Sequence, residues 1–312
     1  MGNQRPSVKS WHNHKIKQER TMSTKPYYIV DVFAETKYAG NQLAVFRNAA
    51  AISDHEMQQI ARETNYSETT FILSDEPRNG GFDVRIFTPA EEVPFAGHPT
   101  LGTAFIIRNE ILNGRAEKVL LNLKVGQIPV SFSPDGYSWM RQIQPTFGSQ
   151  HLPETFAPIL ELELADFDNR FPIQEVSTGL PFFIVPLKTL QALKKAKVNR
   201  ERCFELVRHT EAKGILVFCP QTHQQGNDLS VRVFVDYFGI PEDPATGSGN
   251  GCLAGYLAHY RYFGQPLVDA RVEQGYEISR PSLLLLKSQE TADGIAIDVG
   301  GKNVLVARGE FL

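Results

Sequence analysis

An internal repeat constrains the fold of this sequence more than any other feature. The segment Val84-Arg85-Ile86-Phe87 matches Val231-Arg232-Val233-Phe234 at an offset of 147 residues, and each segment leads to a glycine turn and an apolar helical pattern. With three extra residues in the second copy, Ala96-Gly97-His98 aligns with Thr246-Gly247-Ser248. We therefore predict two similar halves that bring two helix N-termini together across one cleft. Small ligands commonly bind in such clefts between domains.

The second helix start, Asp243 to Gly251, has the composition of an anion-binding turn. Its glycines alternate with Ser248 and Asn250, so several backbone N–H groups can approach a ligand. The apolar helix that follows adds unsatisfied N-terminal donors and the positive end of its dipole. A small carboxylate or phosphate is the ligand that this arrangement favours. A tight turn that only caps the helix is the alternative interpretation.

The spacing of apolar residues predicts many short strands and few helices. Ser53 followed by Glu56 has the signature of a capping box and predicts a helix that runs to Thr64. Pro99 suits the first turn of a second helix, which we expect to reach about Asn109. The predicted strands include residues 28–33, 43–46, 65–73, 82–87, 119–123, 128–132, 214–219, 282–287, 294–299 and 304–310.

A change in composition between about residues 140 and 175 predicts the crossover between two domains, because this region is rich in proline and polar residues. We therefore expect a basic flexible tail over residues 1–25, an N-terminal domain over 26–140 and a C-terminal domain over 141–312. A return of the last strands to the first domain stays open. The tail lacks the apolar stretch of about 7–15 residues that a secretory signal needs.

The charge balance and the cysteines narrow the class of partner. Lysine plus arginine (32) nearly balances aspartate plus glutamate (35), so nothing points to nucleic acid or an acidic membrane. Cys203, Cys219 and Cys252 have neither disulfide nor metal spacing, and the histidines and carboxylates form no metal motif. We therefore expect a cytoplasmic protein with a small-molecule partner and no metal.

Four motifs in the same order resemble those of a known family. They are Asp31-Val32-Phe33 with Gly40-Asn41, Asn65 to Phe71, Val93 to Gly102, and Glu242 to Gly251. From about Tyr27 to Leu312 the chain resembles the phenazine-biosynthesis F-type (PhzF-like) isomerases, which share the diaminopimelate epimerase fold. The resemblance implies an α+β fold of two pseudo-symmetric domains, each a curved mixed β-sheet wrapped around a central α-helix, with the active site between them. It also implies a homodimer, no cofactor, and a proton shift on a small cyclic hydroxy-amino acid.

The resemblance further implies which residues form the site. It places the catalytic glutamate at Glu68, the histidine at His98, the aspartate at Asp243 and the serine at Ser248. A carboxyl in a dry cleft can take a proton and return it, so Glu68 fits the acid/base group, and His98 fits a hydrogen-bond donor or proton relay. The expected substrate-binding residues are Asn41, Gly97, Gly247 and Gly249.

Two alternative functions stay open on these residues. Racemases and epimerases of this fold use two cysteines, but Gly97 and Thr246 occupy the matching positions, which leaves only a one-base epimerase that uses Glu68. A non-catalytic protein that binds a small carboxylate would need the glycine turns and not Glu68. A nucleotide-binding enzyme is disfavoured, because Cys252 stands where the dinucleotide motif requires glycine or alanine. Gln42 replaces the proline usual in the family, which leaves the substrate, not the fold, in doubt.

Overall fold

Eighteen strands pair into one continuous mixed sheet in residues 24–312, the part of the chain that the computed structural model describes. Most of the predicted basic tail lies outside these residues, and Lys25 at its end is already the first residue of a strand. The first nine strands and two α-helices, in chain order, are β1 (Lys25–Val32), β2 (Asn41–Phe46), α1 (Asp54–Thr64), β3 (Glu68–Ile72), β4 (Phe82–Phe87), β5 (Glu92–Val93), α2 (Gly97–Ile106), β6 (Lys118–Leu123), β7 (Gly126–Phe132), β8 (Ser138–Arg141) and β9 (Thr146–His151).

The remaining elements repeat this sequence of strands with more helices on the outside. They are α3 (Pro153–Leu160), β10 (Ile173–Ser177), β11 (Pro181–Pro186), α4 (Leu190–Lys195), α5 (Arg200–Val207), β12 (Gly214–Cys219), β13 (Leu229–Val235), β14 (Ile240–Asp243), α6 (Gly247–His259), β15 (Val268–Gln274), β16 (Ser282–Thr291), β17 (Gly294–Gly301) and β18 (Asn303–Phe311).

The predicted helix starts are close to those observed. The Ser53 hydroxyl accepts a hydrogen bond from the Glu56 N–H at 3.2 Å and caps α1. Helix α2 begins at Gly97, two residues before the predicted start, because its first turn already includes the glycine and His98. Beyond Ile106 the helix widens into a π-helical turn, Ile107–Ile111, so its last turn is not the regular α-helix that the pattern predicts.

The strand pairing confirms that the molecule contains two similar halves. In the N-terminal half, β1 and β2 are antiparallel, β2 and β3 are parallel, β3 and β4 are antiparallel, and β4 is parallel to β6, which continues into β7 and β8. In the C-terminal half, β10 to β13 and β15 to β17 follow the same order and directions. The fold is therefore α+β with the predicted pseudo-symmetry.

The halves are tied together by three strand pairs. The last strand, β18, pairs with β1, and β9 pairs with β10, so each half receives its ninth strand from the other. Strands β8 and β17 pair directly and make the sheet continuous. The two halves are therefore joined along the edges of their sheets.

Each half wraps its sheet around one buried helix. Helix α2 packs on β1, β2 and β3, while α6 packs on β11, β16 and β17. Nearly every residue from His98 to Ala104 and from Gly249 to Ala258 is buried, as expected for a helix that is apolar on all sides. Smaller clusters lie outside the sheets, one under α1 and one under α3, α4 and α5.

One ion pair repeats with the fold. Arg85 in β4 donates two hydrogen bonds to the Glu92 carboxylate, at 2.9 and 2.8 Å, and Arg232 in β13 does the same to Glu242, at 3.0 and 2.8 Å. Each glutamate lies five residues before the first glycine of a central helix. The ion pair therefore anchors the hairpin that leads into each helix start.

Candidate active site

The starts of α2 and α6 face each other across a gap that a single methyl group would fill. A Cβ atom built on Gly97 would lie 3.5 Å from the Ser248 nitrogen and 3.6 Å from the Gly247 Cα. A Cβ atom on Gly247 would lie 3.4 Å from the Phe33 ring and 3.8 Å from the Gly97 Cα. Both helices therefore direct their free N–H groups and positive dipole ends toward one place.

Glu68 and His98 face each other next to these helix starts. Glu68 is the first residue of β3, which pairs with β2 at Leu43, and its Oε2 lies 3.5 Å from the His98 Nε2. Although 18% of the Glu68 side chain is exposed, both Oε2 and Nε2 are buried and neither has a hydrogen-bond partner among the described residues. Buried polar atoms are normally paired, so this pair is suited to receive polar groups of a ligand.

The environment holds both side chains in their neutral forms near pH 7. Burial, and to a smaller extent the negative charge of Asp243, raises the pKa of Glu68 to about 8. Burial lowers the pKa of His98 to about 3, against a smaller opposing effect from the Gln42 backbone. The contact between them is therefore one of a carboxyl and a neutral imidazole, not an ion pair.

Asp243 receives donors from both halves of the chain. Its Oδ1 accepts a hydrogen bond from the Asn41 Nδ2 at 2.9 Å, and its Oδ2 accepts one from the Thr246 hydroxyl at 2.5 Å. Burial raises the pKa of Asp243 to about 6, and the Thr246 and Asn41 bonds oppose that shift. At neutral pH the site thus contains an ionised aspartate beside a protonated glutamate.

Asn41, predicted to bind the substrate, lies next to Asp243 and contacts the turn before α6. Its amide nitrogen donates to Asp243 and also to the Ala245 carbonyl, at 3.0 Å. The side chain is 2% exposed. Asn41 therefore connects the N-terminal half to the turn before α6.

The other residues predicted for the site lie in the first turn of α6. Ser248 is half-buried at its second position. Gly249 is buried, and a Cβ atom there would lie 3.4 to 3.5 Å from Leu216, Thr246 and Phe182. Ser248 therefore borders the contact between the helix starts, whereas the open side of Gly249 faces the core.

Gln274 belongs to the same cluster and was not among the predicted site residues. It is the last residue of β15, 1% exposed, and its amide bonds the turn at Asp243, Thr246 and Asn250. These contacts span 24 to 31 residues of sequence. No local sequence pattern predicts these hydrogen bonds, because they depend on the parallel pairing of β13 with β15.

Two other observations concern ligands and surroundings. Within residues 24–312, no three His, Cys, Asp or Glu side chains are clustered to hold a metal ion, and no helix combines the length and hydropathy that spanning a membrane requires.

A cavity of about 290 Å³ lies in the C-terminal half against His151, Phe167, Asp168 and Phe171 and contains none of the residues discussed above. We assign the site to the facing helix starts with Glu68 and His98, because the volume of a cavity does not by itself indicate a reaction.

Several proteins with similar sequences are named isomerases. The chain is 34% identical over 294 residues to the trans-2,3-dihydro-3-hydroxyanthranilate isomerase of Pseudomonas fluorescens, covering 92% of this chain and 99% of that protein. It is 30% identical to an uncharacterized isomerase of Clostridium acetobutylicum, covering 91% and 97%. The crystal structure of a PhzF-family phenazine biosynthesis protein of Bacillus anthracis superposes with a TM-score of 0.86 at 28% identity, covering 93% of this chain and 100% of that chain.

The fold, the site and these relatives define the chain as an isomerase in which two sheet-wrapped helices meet at their N-termini. The chain belongs to the phenazine biosynthesis-like protein family (PhzC-PhzF), whose model matches residues 30–309. The resemblance drawn from the four motifs is thereby confirmed.

Proposed function

We propose that the chain is a cofactor-independent isomerase that shifts a proton on a small carboxylate-bearing hydroxy or amino acid, with Glu68 as the group that carries the proton. One observation carries the proposal. The Glu68 Oε2 is buried, has no hydrogen-bond partner among the described residues and lies 3.5 Å from an equally unpaired His98 Nε2. A carboxyl kept ready in this way matches the requirement of general acid/base catalysis.

In the proposed reaction, one proton leaves one carbon of the substrate and returns to another. The fraction of Glu68 that is ionised at the working pH takes the proton, so a C–H bond breaks, an O–H bond forms and the electron pair stays on the substrate. The same carboxyl then gives the proton to a second carbon and is restored. A pKa of about 8 places Glu68 near the working pH, where both transfers are feasible.

The other site residues hold and polarise the substrate in this proposal. The N–H groups at the starts of α2 and α6, with the Ser248 hydroxyl, bind the substrate carboxylate and stabilise negative charge that develops as the proton leaves carbon. His98 forms a hydrogen bond with the substrate, and because its imidazole is neutral it contributes no charge. Ionised Asp243 orients the amino or hydroxyl group, and its negative charge raises the pKa of Glu68, which makes the ionised Glu68 a stronger base.

The name of the Pseudomonas fluorescens relative supports a first substrate for testing. That protein is named a trans-2,3-dihydro-3-hydroxyanthranilate isomerase, and the compound is a small cyclic hydroxy-amino acid with a carboxylate. We also propose that the chain works as a homodimer in the cytoplasm. Light scattering of the purified protein checks the assembly, and a monomer mass of 35.0 kDa would contradict it.

The test of the proposed function is the Glu68→Gln variant. We expect its turnover of trans-2,3-dihydro-3-hydroxyanthranilate to fall by about 10³-fold or more, because general acid/base groups contribute about 10² to 10⁴. Proton NMR in deuterated water follows both the product and deuterium incorporation. The exposed Glu63→Gln on α1 makes the same chemical change away from the site and is expected to retain full turnover.

The same experiment separates the alternatives. Deuterium on a different carbon indicates isomerisation, whereas deuterium on the original carbon with inverted configuration indicates a one-base epimerase. Binding of the compound without exchange in the wild-type protein favours a non-catalytic binding protein. Turnover that persists in Glu68→Gln overturns the assignment of the proton carrier.

A further inference from the structure

The orientation of the Gln274 amide is determined by two backbone groups. Its Nε2 lies 2.8 Å from the Asp243 carbonyl, which can only accept, and its Oε1 lies 3.2 Å from the Thr246 N–H, which can only donate. If the Gln274 amide were flipped, its oxygen would face the Asp243 carbonyl oxygen and its NH₂ group would face the Thr246 N–H. The nitrogen therefore points to Asp243 by chemical necessity.

This orientation also determines the direction of the Thr246 hydroxyl. The same Nε2 donates to the Thr246 Oγ1 at 2.9 Å, so the hydroxyl oxygen is occupied as an acceptor. The single hydroxyl proton then points to the Asp243 Oδ2, 2.5 Å away. The result is a one-way chain of donors from Gln274 through Thr246 to the Asp243 carboxylate.

A second donor reaches the other carboxylate oxygen. The Asn41 Nδ2 donates to Oδ1, and its orientation is fixed by the Ala245 carbonyl in the same way. With both oxygens accepting hydrogen bonds from oriented donors, the ionised form of Asp243 is favoured over the protonated one. The negative charge then acts on Glu68.

We propose that Gln274 is a positioning residue, which acts through the Thr246 hydroxyl to keep Asp243 ionised and so leaves the proton of the site on Glu68. The proposal rests on the proposed function of Glu68 and adds the residues that decide where its proton resides at rest. Gln274 touches neither carboxyl with its own amide and works through Thr246.

The other charged groups around Asp243 do not replace this chain of donors. Glu242, its neighbour, opposes ionisation of Asp243 but is itself paired with Arg232 at 2.8 Å. From β3 comes Glu68, and from α2 comes His98, which stays neutral. The charge on Asp243 is therefore offset chiefly by the neutral donors Thr246 and Asn41.

The test measures the titration of the two carboxyls directly and needs no substrate. The full chain is labelled with ¹³C at the side-chain carboxyls of Asp and Glu, and the Glu68 and Asp243 signals are identified by their loss in Glu68→Gln and Asp243→Asn. The variants are Thr246→Val, which removes the hydroxyl at equal volume, Gln274→Met, which removes the amide, and Thr246→Ser, which restores the hydroxyl.

We expect wild-type midpoints near 8 for Glu68 and near 6 for Asp243. In Thr246→Val and Gln274→Met, the Asp243 midpoint rises by about one unit, since a charge-assisted hydrogen bond is lost. Glu68 then titrates in two steps, the first below its wild-type midpoint, because the two groups share protons. Thr246→Ser keeps the wild-type curves.

A matched control separates this effect from a general loosening of the turn. Ser282→Ala removes a hydroxyl that donates to the Pro244 carbonyl of the same turn at 2.8 Å but not to Asp243, and its curves are expected to match the wild type. Unchanged midpoints in both Thr246→Val and Gln274→Met overturn the proposal, and Thr246→Val alone decides if the larger change prevents folding. If Glu68→Gln keeps its turnover while the midpoints shift as expected, the proposed function fails and the positioning role stands.

Discussion

The two helix starts share a backbone and differ in chemistry. Each follows a strand whose arginine binds a glutamate five residues before a glycine, and in each the helix-start carbonyl accepts a side-chain hydrogen bond. The Thr100 hydroxyl donates to the Ala96 carbonyl at 2.7 Å, and the Asn250 amide donates to the Thr246 carbonyl at 3.0 Å. These shared contacts hold the two helices in equivalent positions.

The carboxyls do not repeat. In the same alignment Asp243 corresponds to Val93. The strand pairing makes Gly214 the counterpart of Glu68, since Gly214 begins β12 opposite Phe182 of β11 just as Glu68 begins β3 opposite Leu43 of β2. A Cβ atom on Gly214 would lie 2.5 Å from the Phe182 ring, so no side chain fits there. Each half therefore supplies one carboxyl, and the site needs both halves.

The largest effect is expected from breaking the arginine–glutamate pair in the C-terminal half. Arg232 and Glu242 are each 9% exposed, and Arg232 also donates to the carbonyls of Leu193 and Ala196. Arg232→Met leaves a buried, unpaired carboxylate and should lower the free energy of unfolding by about 4 kcal/mol. Urea denaturation at neutral pH measures the loss.

The equivalent change in the N-terminal half is the control. Arg85 is 22% exposed and Glu92 15%, and Glu92 also receives Lys124 at 2.7 Å. Arg85→Met should therefore cost about 1 kcal/mol, and Arg232→Met combined with Glu242→Leu should recover much of the larger loss, because no buried charge remains. Equal losses in the two halves would contradict the asymmetry.

A smaller effect on the free energy of unfolding is expected from a change of pH, and it arises from Glu68 in the N-terminal half. The pKa of Glu68 in the folded protein, about 8, is above its ordinary value of 4.5. Between these values the folded chain keeps a proton that the unfolded chain has released, so stability falls as pH rises toward 8. Glu68→Gln has no such penalty and should gain about 3 to 4 kcal/mol on the wild type between pH 5 and pH 9.

Unfolding curves of both proteins at pH 5 and pH 9 test this expectation. The surface variant Glu63→Gln serves again as the control and should show the same difference from wild type at both pH values. A constant difference between Glu68→Gln and wild type would mean that Glu68 ionises at its ordinary pKa, and would remove the physical basis for its role.

The sequence predicted the features that depend on local pattern. Strands β4 and β12 have the predicted bounds because they are continuous apolar or alternating runs, and α1 begins where Ser53 caps it. Helix α3 escaped the prediction because it contains Pro158, a residue that opposes helix interiors, and burial of Phe156, Ile159 and Leu160 outweighs that cost.

Within the site, too, the residues with a local sequence signature were predicted and the contacts between distant strands were not. The glycines and His98 were predicted as site residues because a helix start has a local signature, and the role proposed for Glu68 was available only through the family resemblance. The bond from Asn41 to Asp243 spans 202 residues, and the bonds from Gln274 reach back across a strand pair. Such contacts arise from the register of distant strands, which no local periodicity encodes.

The smallest effect concerns the two glycines where the helices meet. A methyl group on Gly97 would lie 3.5 Å from the Ser248 nitrogen, which is an ordinary contact, so Gly97→Ala should fold with wild-type stability. The methyl group would nevertheless crowd a donor that we propose binds the substrate carboxylate. We expect KM to rise about tenfold, the equivalent of about 1.4 kcal/mol of binding, with a smaller change in kcat.

Gly247→Ala supplies the matched comparison across the contact. Its methyl group would lie 3.4 Å from the Phe33 ring and so would point to the wall of the site instead of the donor. We therefore expect its KM to rise no more than about threefold, roughly 0.7 kcal/mol on the same scale. Steady-state kinetics show which of the two variants has the larger KM. Thermal melts verify that both variants fold. A larger rise in KM for Gly247→Ala would place the carboxylate against α2 instead of α6.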